Sequence, residues 1–121
     1  MNVARLCLML MRLGAAIQLI LGIGFWTGHW VAAIPLHRTI GIVYVVLLWV
    51  LALLALVKRA NVGLALFAIV WGLVIAGLGF AQTTLLVGDL HWIIRVLHLV
   101  IAVSAMPIAE RLARPSPTPS L

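Results

Sequence analysis

The chain has 121 residues, of which 66% are hydrophobic and only 8% charged, with a mean hydropathy of +1.31. A soluble domain carries roughly a quarter charged residues, so this composition excludes one and places the protein in a membrane. The formal net charge of +6, from eight Lys and Arg against two acids, does not describe a nucleic-acid surface, because the basic residues are distributed as a membrane-topology signal.

Arg5 and Arg12 mark the N-terminus, and the first apolar run covers about residues 8–27, close to the roughly 20 residues a spanning helix needs. A second run at about 36–57 opens just after Pro35, which suits the first turn of a helix because its missing N–H does no harm there. Lys58 and Arg59 separate it from a third run at about 62–83. A fourth, at about 90–108, follows Asp89, a residue suited to cap a helix start, and Arg111 and Arg114 lie beyond it. The tail, residues 115–121, is Pro- and Ser-rich and is expected to be disordered.

Backbone groups in lipid must pair within the segment, and these runs lack the alternation of a membrane barrel, so the spans are helices. The expected fold is all-α: a single domain, residues 1–114, forming an integral membrane four-helix bundle of two tandem helical hairpins. Six basic residues, Arg5, Arg12, Lys58, Arg59, Arg111 and Arg114, fall on one side, which puts both termini in the cytoplasm (N-in/C-in). Membrane lipid is the implied partner of this basic face. Cys7 is single, so no intramolecular disulfide can form. Val31-Ala-Ala33 imitates a signal-peptide cleavage site, but removing the first span would leave half of a duplicated unit.

That duplication is visible as Gly22-Ile23-Gly24-Phe25 followed by Leu36-His37, and Gly77-Leu78-Gly79-Phe80 followed by Leu90-His91. Two-span repeats in the same orientation are related by an axis along the membrane normal. Gly14, Gln18 and Gly22 on one span and Ala68, Gly72 and Ala76 on another suit close helix packing. His37 and His91 then sit at equivalent depth, near the starts of spans 2 and 4. From His91 the spacing to Arg95 and His98 is i, i+4, i+7, which shares one helix face. Counted from His37, the matching positions are Gly41 and Tyr44.

An arginine inside a span costs about 2.5–3.5 kcal/mol on insertion scales if left in lipid. Arg95 is therefore expected to face the bundle interior, neutralised by Asp89 or by a bound anion such as a haem propionate, a quinone oxygen or a lipid phosphate. The favoured cofactor is one haem b near the outer side, held by His37 and either His91 or His98, with Gly41 leaving room for a porphyrin edge beside Tyr44. His98 lies roughly 10 Å deeper than His91 at 1.5 Å per residue, so only one of them can serve. The same three imidazoles, His37, His91 and His98, could hold zinc or copper, but no carboxylate or thiol supports that.

Other polar residues admit plainer readings. His29, Trp26, Trp30 and Trp92 suit an interfacial belt. Cys7, Met9, Met11 and Met106 read as lipid-facing or packing residues rather than a Cu(I) site. Gln18, Gln82, Thr83 and Thr84 are either contacts for a quinone head group or interhelical hydrogen bonds.

The segment Leu36-His37-Arg38-Thr39-Ile40-Gly41-Ile42 resembles the helix-opening Leu-His-(Lys/Arg)-x-x-Gly element of the bacterial cytochrome b561 family, and Leu90-His91 to His98-Leu99 is similar to that family's histidine-bearing last helix. The resemblance implies a four-helix cytochrome of the bacterial inner membrane that exchanges electrons with quinone and a membrane redox partner. Spans 1 and 3 contain no histidine, so it implies one haem near the outer surface rather than the family's two. The competing expectation is a non-catalytic accessory or assembly subunit of a larger membrane complex, with a homodimer as a further arrangement. No nucleophile–base pair, phosphate loop or paired carboxylate points to a stand-alone enzyme.

Overall fold

The computed structural model describes residues 1–114, so the expected disorder of the tail lies outside the described residues. Four long helices follow one another: α1 (Val3–Trp26), α2 (Ile34–Val57), α3 (Val62–Ala81) and α4 (His91–Ala113), with one 3-10 turn, Val31–Ala33, ahead of α2. All four are long and apolar enough to cross a membrane. Short connections make consecutive helices antiparallel, so the α1–α2 and α3–α4 loops share one end of the bundle. The two termini and the α2–α3 turn share the other.

Helix ends depart from the apolar runs where local chemistry overrides hydropathy. α1 begins five residues before its run because the Asn2 side chain accepts from Arg5 N–H at 2.9 Å, a cap that sets the first turn outside the apolar stretch. α1 stops at Thr27, whose hydroxyl bonds back to the Ile23 and Gly24 carbonyls, and Gly28 follows at φ 81°, where a side chain would be strained. Pro35 lies in the first turn of α2, as its fixed φ favours. α4 is not capped by Asp89: Leu90 holds the cap position without a side-chain bond.

α4 also runs five residues past its apolar stretch, straight through Pro107. Pro107 removes one backbone donor, yet Ala105, Ala109 and Leu112 on either side of it are buried, and their packing keeps the helix continuous. One turn earlier, α4 carbonyls gain side-chain donors. Trp71 Nε1 reaches Ile101 O at 3.2 Å and Ser104 Oγ at 2.8 Å, and Tyr44 OH reaches Ala102 O at 3.1 Å.

α2 and α4 touch along the middle of the bundle while α1 and α3, on opposite flanks, do not touch each other. The packed core is concentrated near the termini. Cys7 and Met11 of α1, Leu48, Leu51, Ala52 and Ala55 of α2, Ala65 and Ala68 of α3 and Ala105, Ala109 and Leu112 of α4 are all buried there. Alanine and glycine let backbones approach, the usual basis of helix association where lipid removes the hydrophobic drive. Large apolar side chains are exposed on every helix, consistent with helices long and apolar enough to cross a membrane.

Candidate functional site

In the half of the bundle nearest the α1–α2 and α3–α4 loops, the fully buried core thins out and polar side chains enter. Three buried side-chain atoms have no hydrogen-bond partner among the described residues: Gln18 Oε1, His37 Nδ1 and His98 Nδ1. They come from α1, α2 and α4. Buried polar atoms are nearly always paired, so three orphans in one half of so apolar a bundle set that half apart.

Each imidazole is held by a different neighbour. His37, in the first turn of α2, lies edge-on to the Phe25 ring, with centroids 5.2 Å apart and planes at 76°. Gln18 Nε2 donates to His37 O at 2.9 Å, and it fits there because residue 41 is glycine: a Cβ at Gly41 would stand 2.9 Å from that amide nitrogen. His98 lies against α3, where a Cβ at Gly79 would stand 3.3 Å from its Cε1. Gln18, His37, His98 and Gly79 come from α1, α2, α4 and α3 in turn.

The remaining sequence candidates go elsewhere. His91 is tied to its own loop: its Nδ1 lies 3.1 Å from Leu85 O, and since a carbonyl only accepts, the ring nitrogen is the donor. Arg95 is exposed, not turned inward, and forms no ion pair among the described residues. The shared face explains this. Ile94 is the buried centre of α4 at this end, and at about 100° per residue His98 stands roughly 40° from it, His91 about 60° and Arg95 about 100°. One helix face straddles the border between packed and open surface. A long side chain one turn from the helix start meets its cost by reaching to the interface.

Gly41 does not leave an open slot, because the Gln18 amide fills it. Tyr44 is buried and donates to Ala102 O, so it joins α2 to α4 instead of facing a ligand. Tyr44→Phe is expected to lower stability by about 0.6 kcal/mol, at most about 1.7, with any cofactor content unchanged; thermal unfolding in detergent checks the first and absorbance the second.

Gln18 is an interhelical hydrogen bonder, whereas Thr84 bonds only within its own turn, to Ala81 O at 2.8 Å. Cys7 and Met11 are core residues and Met9 faces outward. Among the described residues, no group of three or more His, Cys, Asp or Glu gathers as a metal site. Arg38, next to His37, places its guanidinium 5.8 Å from the Phe80 ring centre. An apolar groove on the α1–α4 seam is lined by Leu19, Leu99, Val100, Val103 and Ser104, including the chain neighbours of Gln18 and His98.

Comparison with models of known protein families, with characterised proteins and with solved structures finds no match to this chain.

Proposed function

We propose that the protein is a small b-type cytochrome of the membrane, with one haem held between His37 and His98 in the half of the bundle away from the termini, and that it takes part in electron transfer. The observation that carries this reading is the pair of unpartnered imidazoles on α2 and α4, the two helices that meet in the middle. Imidazoles from facing helices are suited to axial ligation, and bundle cores commonly house such groups. The fit is chemical: both rings are half-buried, and neither spends its buried Nδ1 on a partner among the described residues. A bound haem supplies a one-electron centre. The chain supplies the ligands, a low-dielectric wall and, in Arg38 and Arg95 near the same end, two cations for acidic substituents.

The two halves read as diverged copies of one hairpin, since exchanging α1 with α3 and α2 with α4 preserves which helices touch. The basic end, with Arg5, Lys58, Arg59, Arg111 and Arg114, is the cytoplasmic one, and the haem end faces outward. A bacterial inner membrane is the setting the resemblance to cytochrome b561 suggests. A reporter fused after residue 114 should be active when it requires the cytoplasm and silent when it requires export, and the reverse pattern would invert this topology.

The purified protein, oxidised and then reduced with dithionite, should show sharp reduced haem bands. A folded, colourless preparation that also fails to take up added haem would overturn the cytochrome reading and favour the accessory subunit.

A further inference from the structure

We infer that the α2–α3 turn is a binding site for the phosphate of an anionic membrane lipid, held by the side chains of Lys58 and Arg59. Neither haem nor any histidine takes part. α2 closes at this turn as α1 closes at its own end, with the same pair of backbone hydrogen bonds. After α1, Gly28 N–H reaches Phe25 O at 3.1 Å and His29 N–H reaches Gly24 O at 2.7 Å. After α2, Arg59 N–H reaches Leu56 O at 3.0 Å and Ala60 N–H reaches Ala55 O at 2.9 Å. This closure puts one residue in the left-handed region, where glycine is the usual occupant because a Cβ is strained there. Gly28 fills that place at φ 81°, but Arg59 fills it at φ 50°.

Four residues on, Gly63 has open space where its Cβ would be and no positive φ. Arginine thus stands where the backbone prefers glycine, and glycine where the backbone tolerates any residue. A topology signal asks only for positive charge in the loop, which residue 60 or 63 could carry without strain. Strain kept at one exposed side chain points to a task for that side chain. Its partner is not in the bundle, since among the described residues the one ion pair is Arg12–Glu110 and the chain's other acid, Asp89, lies in the α3–α4 loop at the far end. The 24 residues of α2, at 1.5 Å each, measure about 36 Å against a hydrocarbon core of about 30 Å, so the turn emerges at headgroup level. Its backbone donors are spent on helix carbonyls, that of Lys58 on Leu54 O at 3.2 Å, which leaves an anion to the two side chains. Guanidinium suits a phosphate's paired oxygens. Asn61 gives α3 no side-chain cap and no acid stands in its first turn, so the positive end of that helix adds to the two cations.

The test uses the full-length protein in nanodiscs of equal phosphatidylglycerol and phosphatidylcholine, with native mass spectrometry counting the lipids that each released protein keeps. Wild type should keep phosphatidylglycerol in preference. Arg59→Gly and Lys58→Gln should each lower that preference about fivefold, the effect of one basic residue near an anionic surface, whereas Arg59→Lys should retain most of it. Arg111→Gln removes an exposed charge from the same end and should lower it less. In neutral detergent without lipid, Arg59→Gly should unfold at a higher temperature than wild type, because glycine relieves the left-handed position. A residue kept only for the fold would not lose lipid while the fold gains stability. Inorganic phosphate present during reconstitution should leave the preference unchanged. A wild-type preference or a lowered unfolding temperature in Arg59→Gly, an equal loss in Arg111→Gln, or displacement of the lipid by inorganic phosphate would each overturn the site.

Discussion

Gly72→Leu is expected to be the most disruptive single substitution in α3. The five-membered ring of Trp49, on α2, lies directly on Gly72, and a Cβ built at that glycine collides with the indole nitrogen. That nitrogen donates to Ile69 O at 3.1 Å, less than one turn away on the same helix. Trp49 therefore binds α3 by shape and by a hydrogen bond at once, and any side chain at residue 72 removes both. Overpacking a close contact costs about 1–3 kcal/mol, and an interhelical hydrogen bond in a membrane adds about 0.6, up to about 1.7. A loss of about 2–4 kcal/mol is expected. Gly77, on the same helix, has open space where its Cβ would be, so Gly77→Ala should unfold near the wild-type temperature. Thermal unfolding followed by tryptophan fluorescence compares the two, and equal transitions would show that the indole can leave Gly72 without consequence.

The same glycine shows how far the sequence could be read. Four apolar runs located four helices, because span length and hydropathy are properties of single segments. Gly72 was recognisable as part of a small-residue face, but not as the seat of Trp49, since nothing in either helix alone states which indole meets which carbonyl. Trp71 bonding α4 is illegible in the sequence for the same reason. The duplication of Gly-x-Gly-Phe and Leu-His predicted equal roles for His37 and His91, yet Gly24 receives the Trp30 ring while its counterpart Gly79 receives His98. Identical local motifs thus face different neighbours, and only the tertiary contacts separate them. Arg95 departs from its expected inward placement because a helix face about 60° wide spans both packed and open positions. Gln18 was ambiguous until its partner, a backbone carbonyl, was known.

The sharpest test of the site follows from that broken symmetry. His37→Ala and His98→Ala should each abolish the reduced haem bands, a loss larger than the roughly 10- to 100-fold that removing an outer hydrogen-bond partner costs a metal centre. His91→Ala should retain the bands, since its ring is occupied with Leu85 O at 3.1 Å, and Arg95→Gln should retain them with altered salt dependence. The contrast between the two α4 histidines is decisive because they lie roughly 10 Å apart along one helix and cannot serve one iron from the same side. Bands lost in His91→Ala and kept in His98→Ala would move the centre outward to the repeat-related pair. Circular dichroism on each variant separates loss of haem from loss of fold. Because the packed core lies at the opposite end, around Met11, Leu48 and Leu51, truncating either site histidine should leave the helices intact, so a loss of colour would report on the ligands themselves.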